Sequence, residues 1–488
     1  MNKRIKFSTI ILAFGALFLS SCNLDETPND ALVTSTAWKT VSDAGNFRTG
    51  IYASFKNVNG GKYTYTSDYQ TDILNATSGF GNRGGDMYTW NFTSSQTDIK
   101  DIYEYNYYCI NQCDELLDNI DNIATTTDAD KATLSNYKGE AYLMRAMCLH
   151  SLVLRFAKDY EPSTASTDLG LPLILTYDPS AKPARSTLQA TYDQIQSDIA
   201  SARKYLSTEG AANSHYLTKD VIDAFQARVD LYEHKYTDAV NLASEVIAKY
   251  PLDTNVTALT TMWTNDASNE ILFSVFQSSS EQKNDYPNYL NYSTGTSSFQ
   301  PDFVPTKWVV DLYGSNDIRK SVYFLKDKLT SQETTVSDVY MLNKYPGNPA
   351  LQTASYQYYN MEKPFRAAEA YLIAAEASYK AGDAPSALIY LNNLKTARKA
   401  DVVSGLSGDA LFAEIKNEWI REFIGEGQRL NDLKRWHDGF IRHDTQDSSI
   451  LLSGDGYTNL TVNSSNKKFV WEFPANDLKA NKSLISNW

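Results

Sequence analysis

The chain has 488 residues and a formal net charge of −13 at pH 7, from 58 acidic residues against 45 lysines and arginines. This negative charge argues against a nucleic-acid partner and against binding to an anionic membrane surface. Tyrosine is unusually frequent, with 33 residues. Some tyrosines follow helical spacing and predict core positions, whereas others lie in polar stretches that have no helical period.

Residues 1–21 are typical of a lipoprotein signal peptide, with a basic start and an apolar run too short to span a membrane. The sequence Leu19-Ser20-Ser21-Cys22 resembles a lipobox. We therefore expect Cys22 to carry the lipid that anchors the protein to a membrane, with an ordinary secretory signal as the alternative. Residues 22–36 begin polar and acidic and are predicted to form a flexible tether.

Two stretches rich in Gly, Ser, Thr and Asn, within 60–97 and 277–307, contain many aromatic residues without helical spacing. They predict long ordered loops, which are the segments of a protein that most often carry binding. The string Gly79-x-Gly81-x-x-Gly84 in the first loop fits a dinucleotide-binding pattern, but no strand–turn–helix surrounds it. We therefore predict no nucleotide cofactor.

Most of the remaining chain has the three- and four-residue apolar spacing of amphipathic helices. Helix pairs are predicted within 99–160, 187–250 and 364–400. Small and large residues in the last two match the pattern of tetratricopeptide-like pairs, which must stack on neighbours to bury their faces. A further helix is predicted over 409–424, a short one reaches Trp436, and two short strands are predicted at 270–276 and 467–473.

Nothing in the sequence predicts an enzyme or a metal centre. The five histidines show no metal-ligand spacing, and Cys109 and Cys113 are predicted to be small core residues. None of the 58 acidic residues stands out as half of a glycosidase carboxylate pair. No catalytic residue and no metal ligand are therefore predicted, although the loops rich in Asp and Asn could hold calcium.

Several motifs, in order, resemble those of the SusD/RagB family of outer-membrane nutrient-binding lipoproteins. The motifs are Gly139-Glu140-Ala141 with Arg145, Gly170-Leu171-Pro172, Arg366 with Glu369-Ala370-Tyr371, Arg421-Glu422, Gly425-Glu426-Gly427-Gln428-Arg429 and Asp432 with Arg435-Trp436. Trp419, Ile420 and Asn431 depart from the family pattern. The C-terminal motif, 409–436, is predicted to hold a structural charge network of Glu418, Glu422, Arg429, Asp432 and Arg435, with Asp432 and Arg435 placed for an ion pair.

The resemblance implies a mainly α fold, in which tetratricopeptide-like helix pairs pack against a loop-rich ligand-binding half with few short strands. It implies one domain over 22–488, anchored in the outer membrane of a Bacteroides-type bacterium and facing the cell exterior. The implied partner is a SusC-like TonB-dependent transporter. The implied ligand is a glycan, with peptide as the RagB-like alternative. An enzyme that degrades envelope polysaccharide is a third possibility.

Sugar rings present an apolar face to aromatic platforms and a rim of hydroxyls to polar side chains. Both loops offer such side chains. The candidate ligand-binding residues are Tyr65, Tyr69, Asp72, Asn82, Arg83 and Trp90 in the first loop and Tyr286, Tyr289 and Tyr292 in the second. For Trp90, plain packing in the core is the alternative to ligand contact.

Overall fold

The computed structural model describes residues 38–280, 289–353, 357–442 and 444–488. The predicted signal peptide, Cys22, the tether and Tyr286 lie outside the described residues. The helices are α1 (Val41–Phe55), α2 (Lys62–Tyr69), α3 (Gly85–Tyr88), α4 (Thr97–Asn119), α5 (Asp128–Phe156), α6 (Leu188–Tyr205), α7 (Lys219–Tyr232), α8 (Tyr236–Lys249), α9 (Val256–Thr264), α10 (Lys307–Asp311), α11 (Ile318–Tyr323), α12 (Ala367–Lys380), α13 (Ala384–Ala397), α14 (Gly408–Phe423), α15 (Arg429–Arg435) and α16 (Ala475–Ala480).

The strands are short. They are β1 (Leu74–Ala76), β2 (Leu169–Pro172), β3 (Arg185–Thr187), β4 (Ile271–Phe273), β5 (Tyr292–Ser293), β6 (Ser298–Phe299), β7 (Phe303–Pro305), β8 (Phe324–Ser331), β9 (Thr334–Leu342), β10 (Phe365–Arg366), β11 (Phe440–Arg442) and β12 (Leu460–Val462). β5, β6, β8 and β9 form one sheet in that order, and the other named strands pair two by two. The predicted fold class, mainly helical with few short strands, is confirmed.

The helical half is built from helices that pack on one another, namely α4, α5, α6, α7, α8, α12, α13 and α14. α8 packs against α12, so the two tetratricopeptide-like pairs α7–α8 and α12–α13 are stacked. Ala239 and Ala243 on α8 and Ala375 on α12 are fully buried. Small side chains at these positions let the helices approach closely. The turn between α12 and α13 contains Gly382 at φ 86°, a left-handed backbone that favours glycine.

The loop-rich half has its own small hydrophobic cluster. Leu290, Val304, Leu329, Met341 and Ile450 are among its buried members. The β8–β9 hairpin, which supplies several of them, was not among the predicted elements. The predicted strand over 467–473 is wrong, because residues 467–469 form a 3-10 turn and no strand follows in that stretch.

A cluster of buried charges joins the C-terminal motif to the helical half. The Glu422 carboxylate accepts hydrogen bonds from Arg366 and Arg398 at 2.8 Å each and from Arg319 at 3.0 Å. All four side chains are at most 1% exposed. Burial alone would raise the pKa of the neighbouring Glu418, but Arg319, Arg421 and Lys395 lower it to about 2.

The predicted network of five charged residues divides into three separate groups. Glu418 and Glu422 belong to the buried cluster described above. Asp432 and Arg435 form the predicted ion pair at 3.0 Å, and Arg435 also makes a bidentate bond to Glu376. Arg429 pairs with Asp72 at the edge of the loop-rich half.

The described residues contain no helix that is both long and apolar enough to span a membrane. Cys109 and Cys113 on α4 are buried free thiols, which confirms the prediction that they are core residues, and Cys148 on α5 is also a buried free thiol.

Candidate functional site

The two predicted binding loops lie together in the loop-rich half. β1, from the first loop, pairs with β7, from the second, over Leu74–Ala76. The tip of the β8–β9 hairpin joins them, because the Ser331 hydroxyl accepts a hydrogen bond from the backbone N–H of Gly79 at 2.8 Å. The Gln332 side chain donates to the carbonyl of Ser78 at 2.8 Å. Segments distant in the chain therefore build one continuous surface.

Trp90 does not present a ring face to solvent, and the prediction that it is a sugar platform is not compatible with its position. Its side chain is 5% exposed and packs edge-on against Phe469, with ring centres 4.9 Å apart. The indole N–H donates to the carbonyl of Gln70 at 2.6 Å. These contacts match the alternative of plain packing, because the residue fills an aromatic core between β11 and the C-terminal segment.

Three more predicted ligand residues are buried, and two of them contact other side chains. Tyr69 stacks on Phe303 at 5.1 Å, and its hydroxyl donates to Asp98 at 3.1 Å. Both carboxylate oxygens of Asp72 accept hydrogen bonds from the Arg429 guanidinium, at 2.8 and 2.9 Å. Tyr289 is 6% exposed. In this conformation the three side chains cannot contact a ligand in solvent. Their burial therefore contradicts the prediction that they bind ligand.

The remaining predicted residues in the described chain reach the surface. Asn82 is exposed, and Tyr65 is half-buried. Arg83 is 60% exposed and makes a bidentate pair with the buried carboxylate of Asp302. Asp302 therefore holds the guanidinium in place while its outer side remains accessible.

Among the predicted aromatic residues that the structure describes, Tyr292 is the exposed one. Its side chain is 47% exposed, and its ring contacts the edge of Phe299 at 5.1 Å between ring centres. β5 and β6 hold the two residues in register as cross-strand partners. The pairing of the two strands therefore holds the ring in place. Five residues that are exposed or partly exposed on these joined segments are together called the sheet surface below, namely Asn82, Arg83, Tyr292, Phe299 and Gln332.

A second aromatic site was not predicted. A cavity of about 280 Å³ lies between α1, residues 215–216 and the segment that follows β4. Its walls are mainly aromatic, formed by Tyr52, Phe55, His215, Tyr216, Phe273 and Phe276. Tyr216 and Phe276 are each about half exposed at its rim. This site is called the aromatic cavity below.

Polar contacts fix the rings of the aromatic cavity. The guanidinium of Arg48 lies 4.1 Å from the ring centre of Tyr216 and is held by Glu140, which accepts a hydrogen bond at 2.6 Å. The His215 ring hydrogen-bonds to the Ser274 hydroxyl at 3.0 Å. Burial raises the pKa of Tyr52 well above its usual value, so its hydroxyl stays protonated.

Little in the sequence indicated the aromatic cavity. His215 and Tyr216 lie just before α7, and Phe276 ends a stretch predicted as a strand. The only feature visible in the sequence is that His215 and Tyr216 do not follow the helical spacing of apolar residues. The three residues converge because α1, far away in sequence, packs beside them.

Metal-ligating atoms gather at a third place, which shares no residue with the sheet surface or the aromatic cavity. Within the described residues, Asp159, Glu161 and His234 each place one ligand atom within 4.8 Å of the others. No metal-ligand spacing was predicted for the histidines, because such spacing is judged between residues that are close in the sequence. His234 is far from Asp159 and Glu161 in the chain and meets them only in the fold.

Two family models match opposite ends of the chain. A model described as "SusD family" matches residues 319–487, and a model described as "Starch-binding associating with outer membrane" matches residues 24–231. None of the curated proteins compared with the chain is similar enough to count as a relative.

Solved structures share the fold over nearly the whole chain. A SusD superfamily protein from Bacteroides thetaiotaomicron is 24% identical, with a TM-score of 0.78 over 92% of this chain and 100% of its own. A putative sugar binding protein from Bacteroides vulgatus is 25% identical, with a TM-score of 0.76 over 93% of this chain and 99% of its own. Surface glycan-binding protein A from Bacteroides uniformis is 15% identical, with a TM-score of 0.69 over 91% and 99%.

Three observations support the same family. They are the stacked helix pairs, the buried arginine–carboxylate cluster in the C-terminal motif and the two family matches. The chain belongs to the SusD/RagB family.

Proposed function

We propose that this protein captures glycan at the cell surface and hands it to a SusC-like TonB-dependent transporter in the outer membrane. The observation that carries the proposal is the match of residues 24–231 to a family described as starch-binding and associated with the outer membrane. Two structural neighbours are named for sugar or glycan binding, and members of this family act as binding proteins rather than enzymes. Cys22 is the proposed lipid attachment site.

The sheet surface supports glycan binding through one fixed ring and a polar rim. Tyr292 supplies the aromatic platform, and Arg83, Asn82 and Gln332 supply donors and acceptors for hydroxyl groups. Tyr65 is kept as a half-buried candidate, and Tyr286 is kept as a proposal that lies outside the described residues.

The aromatic cavity is the second candidate location for the same function. The specific observation that favours it is the pair of half-exposed rings, Tyr216 and Phe276, at the rim of a concave site of about 280 Å³. Ligand sites are usually concave, aromatic and lined by a few placed polar groups. Thr49, Lys56 and His215 supply those polar groups here.

Both locations predict modest affinity. One to three ring contacts at about 0.5–1.5 kcal/mol each and a few hydrogen bonds at about 1 kcal/mol each total several kcal/mol. Such a total corresponds to dissociation constants from roughly millimolar to tens of micromolar. Weak capture suffices when a tethered protein passes its cargo to an adjacent pore, because tethering raises the effective concentration.

Isothermal titration calorimetry with plant, host and microbial glycans, together with a mixed peptide pool, tests the proposal. We expect saturable binding to one glycan class, and chromatography of the mixture should show the glycan intact. Heat from the peptides and none from any glycan would replace this function with peptide capture. Shortened products would replace it with an enzyme.

Variants then locate the site. Tyr292→Ala should weaken binding if the sheet surface holds the glycan, and Phe276→Ala should weaken it if the aromatic cavity does. Tyr108→Ala is the matched control, because Tyr108 is 57% exposed on α4 in the helical half. If all three variants bind glycan with the affinity of the wild type, both locations are excluded.

The membrane anchor and the partner have separate tests. Cys22→Ser should move the protein from the outer-membrane fraction to a soluble fraction when expressed in a Bacteroides host. Crosslinking in that host should trap a TonB-dependent transporter with the wild-type chain. Retention of the Cys22→Ser variant in the outer membrane would overturn the lipid-anchor proposal.

A further inference from the structure

Four side chains from three separate segments converge beside the C-terminal motif. Asp159 and Glu161 lie in the loop after α5, His234 lies in the turn between α7 and α8, and His437 follows α15. The ligand atoms of Asp159, Glu161 and His234 lie within 4.8 Å of one another. The Nε2 atom of His437 is 2.9 Å from Glu161 Oε1 and 3.7 Å from Asp159 Oδ2.

Asp159 is the observation that points to a missing ligand. Its side chain is 7% exposed, and its Oδ2 atom is buried without a hydrogen-bond partner among the described residues. Burying a carboxylate oxygen without a hydrogen bond is costly, so native structures rarely leave one in this condition. A cation placed between this oxygen and the two histidines would satisfy it.

We propose that Asp159, Glu161, His234 and His437 form a binding site for one divalent transition-metal ion, of which Zn²⁺ is the representative. Two imidazoles with carboxylate oxygens match the ligands that zinc uses, whereas Ca²⁺ and Mg²⁺ prefer sites made of oxygen alone. The proposal is independent of the glycan proposal.

The geometry requires a small adjustment. Zinc ligands at about 2.0–2.2 Å in a tetrahedron are about 3.3 Å apart. The ligand atoms of Asp159, Glu161 and His234 lie within 4.8 Å of one another, so the widest pair must close by about 1.5 Å. Glu161 is 41% exposed and His437 is 60% exposed, so both side chains have room to move toward the buried Asp159.

Lys434 is a charged neighbour of the site and interacts electrostatically with Asp159. Its ammonium group donates a hydrogen bond to the carbonyl of Leu154 at 2.8 Å.

A metal ion here would tie together three segments of different origin. The α7–α8 turn belongs to a tetratricopeptide-like pair, and His437 directly follows the C-terminal motif. The site also borders a cavity of about 520 Å³ that Glu161 and His437 help to line. An ion bound by four protein ligands would stabilise this junction, because it binds the folded chain and not the unfolded one.

Calorimetric titration of the purified chain, prepared without a polyhistidine tag, with ZnCl₂ tests the site. We expect one Zn²⁺ per chain and a rise in melting temperature on zinc addition. His234→Ala and His437→Ala should each weaken zinc binding at least about tenfold. Glu209→Gln is the control, since Glu209 is an exposed carboxylate paired with Lys219, and it should bind zinc as the wild type does.

A second variant keeps the test decisive if a histidine variant fails to fold. Asp159→Asn preserves the shape of the side chain and should also weaken zinc binding at least about tenfold. The absence of saturable zinc binding in the wild type would overturn the proposal, as would unchanged zinc affinity in all the ligand variants. Equal affinity for CaCl₂, lost in Asp159→Asn and retained in His234→Ala, would overturn the assignment to a transition metal.

Discussion

The helical half and the loop-rich half use charge in opposite ways. In the helical half, Arg319, Arg366 and Arg398 surround Glu422 with almost no exposure to water. In the loop-rich half, Arg83 pairs with Asp302 while 60% of its own side chain stays exposed. The first arrangement fixes packing between segments that are far apart in the chain. The second holds a cation in position and leaves it available.

The comparison shows that a charged residue in this fold cannot be assigned a role from its type. A buried charge is retained only when partners compensate for its lost hydration, so each member of the Glu422 cluster depends on the others. An exposed guanidinium keeps its hydration and can exchange water for ligand. Stability should therefore depend on the helical half, and glycan affinity should depend on the loop-rich half or its border.

The largest expected effect comes from neutralising the centre of the buried cluster. Glu422→Gln leaves three buried arginines with less compensating charge, and we expect a loss of about 3–5 kcal/mol in the free energy of unfolding. Denaturant unfolding measures this loss. The exposed Glu209→Gln control should stay within about 0.5 kcal/mol of the wild type. Full stability in Glu422→Gln would show that the cluster does not hold these segments together.

The pH dependence of stability should follow the same cluster. The pKa of Glu418 is lowered from 4.5 to about 2, so its contribution is complete above pH 4.5 and is lost as the pH falls toward 2. Asp432 acts in the opposite direction between about pH 6 and 4, since burial raises its pKa to about 6. We therefore expect the main acid loss below pH 4. Unfolding curves at several pH values check it, and Glu418→Gln should reduce the slope.

An intermediate effect is expected at Trp90, which lies in the loop-rich half but belongs to the core. Trp90→Phe removes the donor to the Gln70 carbonyl and should cost about 1–3 kcal/mol of stability. Glycan affinity of the folded variant should stay unchanged. Thermal unfolding and calorimetry separate the two quantities. Reduced affinity at full stability would restore Trp90 as a ligand residue.

The smallest effect is expected at Tyr292. Tyr292→Ala removes one ring contact of about 0.5–1.5 kcal/mol, which is about a two- to tenfold loss of glycan affinity if the sheet surface is the site. Because the ring is half exposed, the melting temperature should hardly change. Calorimetry beside Tyr108→Ala checks the first point. A large drop in stability would place Tyr292 with the core residues.

Much of the helical half could be predicted from the sequence because its signals are local. The alanines of α8 and α12 recur with the helical period, so both pairs were predicted within 187–250 and 364–400, where the structure contains them. The ion pair between Asp432 and Arg435 was also predicted, because two residues three apart on a helix must lie on one face.

The site was predicted less well because exposure is not a local property. Trp90, Tyr69 and Asp72 lie in a polar, glycine-rich stretch that resembles a binding loop, yet contacts from Phe469, Phe303 and Arg429 bury them. Those partners come from segments more than two hundred residues away. Asn82, Arg83 and Tyr292 are exposed in the same neighbourhood, and no sequence pattern separates them from the buried set.

The sequence by itself determined the helix-rich class, the stacked pairs and the family resemblance, because periodicity and motif order are properties of the chain. Tertiary structure alone decided which aromatic rings face solvent, how the arginines divide among carboxylates, and that His234 and His437 meet Asp159. The physical reason is that hydration is lost or kept through contacts between distant segments, and such contacts exist only in the folded chain.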